Sequence, residues 1–80
     1  MDANTILEKI QEIAADHLSI DATKVTADSH FEKDLGADSL AVSEVLMVLE
    51  EELDIEMDDD ELKDVKVVSQ LIEYIQTLVN

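Results

Sequence analysis

The run Asp34-Leu35-Gly36-Ala37-Asp38-Ser39-Leu40 places one hydroxyl at the point where an acidic amphipathic helix begins. The first backbone N–H groups of a helix lack intrahelical partners, and the helix dipole adds positive potential there, so a phosphate esterified to Ser39 is favourably placed. Ser39 is poorly equipped to be an enzyme's own nucleophile. No Cys exists in the chain, no Lys stands beside it, and the nearest His in sequence, His30, lies in the preceding loop. The position suits a tethering point loaded by a second protein. Taken alone, a Ser that follows Asp at a helix start is an ordinary N-cap. Gly36 suits a turn of positive φ that presents Asp38 and Ser39 outward.

The elements that must position this segment are helical. The chain has no Pro and one Gly, and no alternating pattern long enough for a strand. A first helix is expected over about Thr5 to Leu18, with Ile6, Leu7, Ile10, Ile13, Ala14 and Leu18 on one stripe and Thr5 to Glu8 in the form of a capping box. A long connection, Ser19 to Asp38, follows, with Ile20, Val25, Phe31 and Leu35 as its anchors. The second helix is expected over Ser39 to Leu53 and a short third over Asp59 to Asp64. The fourth spans Val68 to Val79, with Val68, Leu71, Ile72, Ile75, Leu78 and Val79 on its buried stripe. Phe31 and Tyr74 read as packing residues.

Projected at about 100° per residue, the second helix has two apolar sides. Val42, Val45, Leu46, Leu49 and Leu53 form a core stripe, whereas Leu40, Glu44, Met47 and Glu51 fall nearly opposite. A helical Met is more often a core residue, but the position of Met47 argues for exposure. Large apolar side chains among carboxylates make an electrostatically steered docking face, with Ser39 at its head.

Size and charge narrow the function. Eighty residues allow one domain, residues 1–80, with no room for a large catalytic cleft. The absence of Cys removes disulfides and thiolate metal sites and is typical of an intracellular protein. No apolar run is long enough to cross a bilayer, and Met1 to Thr5 lacks the form of a targeting signal, so a cytoplasmic protein without stable membrane insertion is expected. A formal net charge of −16 disfavours nucleic acid and anionic lipid and favours partners with basic patches. Eleven acids fall between Glu44 and Asp64, which reads as a solvated face. An EF-hand loop counted from Asp54 fails, because it needs Gly at Asp59 and Glu at Val65. No specific metal site is expected, only diffuse divalent-cation binding. His17 and His30 have no ligand spacing and read as surface or loop residues.

The Asp34 to Leu40 segment, followed by Glu44, Met47 and Leu49-Glu50-Glu51-Glu52, resembles the acyl carrier proteins of fatty acid and polyketide synthesis. The likeness runs from the Ile6 to Leu18 helix to Ile72-Glu73-Tyr74-Ile75. It implies an all-α bundle of three longer helices plus one short helix, with a 4'-phosphopantetheine arm on the serine that Ser39 matches. By the same resemblance, a phosphopantetheinyl transferase supplies the arm from coenzyme A, and its thiol carries acyl cargo as thioesters between enzymes. Acyl synthases and acyltransferases with basic docking patches are the implied partners, contacting Asp38, Leu40, Glu44, Met47, Val48 and Glu51. The acyl chain can withdraw into an apolar cavity, whose lining Leu46, Leu49, Met57, Leu62, Val65, Leu71 and Ile75 resemble. Such a protein is a monomeric carrier and not an enzyme.

The chain departs from the family at Ala41, where many carriers have an acid, at Ser43, where Val is frequent, and at Met57-Asp58-Asp59, where Pro often precedes the third helix. These changes bear on partner choice and suggest a specialised carrier. The alternatives are a carrier of aminoacyl or other groups, and an unmodified acidic adaptor or nucleic-acid mimic binding a basic protein. A hydrolase using Ser39 lacks a visible base.

Overall fold

The computed structural model describes residues 2–79, which form four α-helices and one 3₁₀ turn. Helix α1 covers Ala3–Leu18, α2 Ser39–Leu53, α3 Asp59–Leu62 and α4 Val68–Val79, with the 3₁₀ turn at Ala22–Lys24. Three longer helices and one short one, with no strand among the described residues, are the expected all-α architecture.

The helices form because each carries an apolar stripe toward one shared core. Ile6, Ile10, Ile13 and Ala14 of α1 meet Val45 and Leu49 of α2 and Val68, Leu71, Ile72 and Ile75 of α4. At about 25 cal/mol per Å² of apolar surface removed from water, burial of these aliphatic side chains is the main stabilising term. Leu78 departs from the expected stripe: it is 38% exposed and lies outside the core cluster that Ile75 and Val79 join. Val79 is only partly buried.

Local chemistry sets the helix ends. Helix α1 starts two residues earlier than its stripe suggests, because the Asp2 carboxylate accepts the Thr5 N–H at 2.8 Å and takes over the capping role. The capping box expected from Thr5 is therefore not used. Helices α1 and α2 both stop at a non-glycine residue in the left-handed region, Ser19 (φ 55°) and Asp54 (φ 54°). Each is followed by an isoleucine whose N–H returns to the helix, Ile20 to the Ala15 carbonyl (3.2 Å) and Ile55 to that of Glu50 (3.1 Å). Both isoleucines pack on the core, so the apolar contact holds a backbone shape that Ser and Asp adopt reluctantly.

Helix α3 ends at Leu62 and not at Asp64; Lys63 and Asp64 continue only as a turn, with the Val65 N–H bonded to the Leu62 carbonyl at 3.1 Å. The Asp58 side chain caps α3 by accepting from Asp60 N–H. The Asp58 backbone N–H donates to the Tyr74 hydroxyl at 2.8 Å, tying α3 to α4. Burial raises the phenol pKa of Tyr74 above its usual 10.0.

The long connection is tightly organised. Val25, Phe31, Leu35 and Ala37 are buried, and the half-buried Ile20 packs against the same cluster. The buried Ser29 hydroxyl reaches the Lys24 carbonyl and receives the Thr26 N–H. Residues 27–31 then lie against the entry to α4: the Phe31 N–H donates to Lys66 O (3.0 Å), Val68 N–H to Ser29 O (2.9 Å) and Ser69 N–H to Ala27 O (2.8 Å). Loop backbone that would otherwise be orphaned in the interior is paired there, which explains how 20 residues without an α-helix can stay in place. Gln70 completes the corner by accepting from both Lys66 N–H (2.7 Å) and Val67 N–H (3.1 Å).

Candidate functional site

Ser39 is exposed and is the first residue of α2. A knot of backbone hydrogen bonds presents it. The His30 carbonyl accepts from Asp34 and Leu35, the Glu32 carbonyl from Gly36, and the Phe31 carbonyl from Ala37 at 2.9 Å. His30 holds the same knot through its side chain, with Nδ1 accepting the Glu32 and Lys33 N–H groups, while Asp34 Oδ2 accepts the His30 N–H at 2.7 Å. His30 thus has a structural part in placing Ser39. Gly36 takes φ +69°, a conformation L side chains rarely adopt. With Leu35 and Ala37 buried on either side of it, the chain must emerge at Asp38 and Ser39.

Asp38, not Ser39, is the N-cap: its carboxylate accepts the Ala41 N–H at 2.8 Å. The Ser39 hydroxyl is thereby relieved of the capping role. Positive potential from the start of a 15-residue helix bears on this hydroxyl, and no acid follows within the first turn of α2.

A groove of about 430 Å³ opens beside Ser39. From α2 it is lined by Ser39, Val42, Ser43 and Leu46, from the preceding loop by His30, Phe31 and Glu32, and across from them by Asp59, Leu62, Lys63, Val65 and Lys66. The four α2 residues sit at i, i+3, i+4 and i+7, one helical stripe that leads from Ser39 into the apolar part of the groove.

The seven residues expected to line a cavity divide into two groups. Leu46, Leu62 and Val65 line the groove. Leu49, Leu71 and Ile75 are fully buried and Met57 is buried; these four belong to the close-packed core. Val42, Ser43 and Phe31 line the groove as well. Val42 belongs to the expected core stripe, and its i+3 spacing from Ser39 is the sequence signal for this second role.

The expected docking residues also divide. Leu40 (68%) and Met47 (59%) are the most exposed large apolar side chains among the described residues, and Glu44 and Glu51 are exposed beside them. Val48 turns instead toward α1. It is half-buried and lines a second groove of about 510 Å³ with Glu12, Ile13, Ala15, Asp16, His17 and Glu52. Glu44 approaches His17 Nδ1 at 4.0 Å on that side. The second groove contains neither Ser39 nor its neighbours, so the smaller groove is the one relevant to chemistry at the hydroxyl.

Among the described residues no group of three or more His, Cys, Asp or Glu is arranged to hold a metal, and no helix is long and apolar enough to cross a membrane.

The family model described as a phosphopantetheine attachment site matches residues 8–75, which contain the whole groove and both of its flanking helices. The chain belongs to this family, that of the acyl carrier proteins. It is 49% identical to the acyl carrier protein of Clostridium acetobutylicum over 71 residues, covering 89% of this chain and 92% of the relative. The acyl carrier protein of Trieres chinensis is 46% identical, over 85% of each chain. That of Akkermansia muciniphila is 43% identical, over 95% of each. As an acyl carrier protein, the chain functions with a 4'-phosphopantetheine prosthetic group. Carriers of this family hand acyl groups between enzymes and do not catalyse the reactions themselves.

Proposed function

We propose that Ser39 is the attachment residue for 4'-phosphopantetheine and that the chain, as a single carrier domain of residues 1–80, shuttles acyl thioesters between enzymes of fatty acid, polyketide or related lipid synthesis in the cytoplasm. The observation that carries this reading is the position of Ser39: an exposed hydroxyl, free of the capping role, at the first residue of α2 and on the lip of the apolar groove.

The residues present fit the group. The helix start favours the phosphate, and Val42, Leu46, Phe31, Leu62 and Val65 offer apolar surface to an acyl chain. When bound, the prosthetic group supplies the thiol that carries the acyl group. His30 Nδ1 already accepts the Glu32 and Lys33 N–H groups, so a phosphopantetheinyl transferase would take the Ser39 hydroxyl proton while Oγ attacks the phosphate of the coenzyme A arm, breaking its phosphoanhydride bond and releasing adenosine 3',5'-bisphosphate. Leu49, Met57, Leu71 and Ile75 are packed in the core, so longer acyl chains would reach them only by repacking.

Partner enzymes, among them synthases and acyltransferases, meet the α2 face of Asp38, Leu40, Glu44, Met47 and Glu51, with Val48 at its edge. Basic patches on the enzymes complement the carboxylates, giving fast encounter, and Leu40 and Met47 supply the apolar contact. The chain works as a monomer, and the charge of −16 keeps copies apart.

The test is to incubate the chain with coenzyme A and a broad-specificity phosphopantetheinyl transferase and to measure intact mass, with Ser39→Ala alongside. One phosphopantetheinyl adduct on the wild type and none on the variant is expected. An adduct that survives the substitution would overturn the assignment, as would the absence of any adduct with a transferase from the source organism.

A further inference from the structure

The chain has five cationic side chains, all Lys, against 21 acids. Two of the five, Lys63 and Lys66, line the groove beside Ser39, where only two of the 21 acids, Glu32 and Asp59, accompany them. On a chain of net charge −16 the lining of this groove therefore carries as many Lys as acids, with Asp38 beside Ser39 and Asp60 beside Lys63 just outside it. Resting on the assignment of Ser39, we propose that Lys63 and Lys66 hold the phosphodiester that joins the prosthetic group to Ser39.

Three observations support it. The backbone of Lys66 is clamped on both sides, its N–H donating to Gln70 Oε1 at 2.7 Å and its carbonyl accepting from Phe31 N–H at 3.0 Å. The stem of this lysine therefore starts from a fixed point on the groove wall opposite α2. Lys63 meets Asp60 at 3.2 Å, but both side chains are largely exposed (74% and 84%), so the pair is weak and a fully ionised phosphodiester in the same groove competes for the ammonium. Ser39 and both lysines line this one groove, so a charge on Ser39 is open to the charges on its rim, more strongly at low salt. Lysine suits such a role, because its flexible stem carries a point charge that can follow a phosphate and release it when an enzyme takes the arm. Two cations and the start of α2 then hold the phosphate from opposite sides, which keeps the attached arm on the groove side of Ser39 until a partner competes for it.

The test compares the unmodified and phosphopantetheinylated forms of the wild type and of K63Q/K66Q, with intact mass confirming one adduct on each. At low salt, modification should raise the melting temperature of the wild type by about 2 °C more than that of K63Q/K66Q, a gap that closes at about 0.5 M salt. The NMR resonances of the ε-methylene groups of Lys63 and Lys66 should shift on modification, while those of Lys9 and Lys24 stay in place. Inorganic phosphate added to the unmodified chain should move neither pair. An equal rise in both proteins, or unmoved Lys63 and Lys66 resonances, would assign the phosphate to the helix start alone and overturn the proposal. Movement of the same size with inorganic phosphate would make the rim a general anion site and overturn it too. If no adduct forms on the wild type, the Ser39 assignment fails and this one falls with it, whereas an adduct without coupling removes only the lysines.

Discussion

Helices α1 and α2 are nearly equal in length, 16 and 15 residues, and end in the same way, yet they place their apolar residues differently. In α1 the fully buried positions, Ile6, Ile10, Ile13 and Ala14, form one stripe, and the residues opposite are polar. In α2 only Val45 and Leu49 are fully buried; Val42 and Leu46 face the groove, and Leu40 and Met47 face solvent. A helix that answers only to its own core has one apolar side. A helix with apolar residues on three sides has more apolar surface than the core uses, which is the basis for the proposed cargo and partner roles of α2.

The contrast breaks most clearly in the core. Ile10→Ala in α1 and Leu49→Ala in α2 should each cost about 2–5 kcal/mol, measured by urea denaturation, because both side chains are fully buried. A loss below about 1 kcal/mol at Leu49 would mean that the groove already admits repacking beneath it.

A smaller effect separates the two helix starts. Asp38→Ala removes the cap of α2 and should cost about 1 kcal/mol. Gly36→Ala should cost a similar amount, about 1 kcal/mol, although nothing lies within 4 Å of an added Cβ, since the whole penalty lies in the backbone at φ +69°. A loss of that size in thermal melts would assign the penalty to the backbone of the turn, and no loss would count against it.

On the exposed side, Met47→Ala should change stability by less than about 0.5 kcal/mol while weakening capture by the transferase and by partner enzymes. Val48→Ala, at the edge of that face, should do the reverse, lowering the melting temperature through lost packing with α1 and weakening capture less than Met47→Ala does. Equal binding losses at the two positions would place the docking face nearer α1.

The smallest effect concerns pH. Hydrogen bonds from Thr5, chiefly its backbone N–H, hold the Asp2 carboxyl below its ordinary 3.8. A lowered folded-state pKa gives stability that is present above 3.8 and lost as pH falls through the lowered value. Asp2→Ala should therefore lower the melting temperature slightly at neutral pH, and its difference from the wild type should shrink in acid.

Much of this is legible in the residues. Periodicity locates α2 at Ser39–Leu53 and α4 at Val68–Val79, and projection puts Leu40 and Met47 outside the core. Where two neighbours can serve one local role, the sequence misleads: Thr5 has the form of a cap, but Asp2, three residues earlier, accepts the Thr5 N–H with a full charge and places Thr5 inside the helix. Ser19 and Asp54 give no glycine signal, because their left-handed shape is held by the burial of Ile20 and Ile55. Lys63 and Lys66 lie 24 or more positions from Ser39, and no spacing rule links residues so far apart.

By itself, then, the sequence determined what depends on neighbours along the chain: the helical stripes, the turn at Gly36, the placement of Ser39 at a helix start and the acidic face beyond it. The tertiary structure alone decided what depends on separate segments meeting. The pairing of residues 27–31 with 66–69 closes the connection onto α4, and the groove exists because α2, that connection and the α3–α4 corner do not fill the space between them. Its lining comes from segments distant along the chain, and the surface left unfilled between packed elements follows from how the whole core closes.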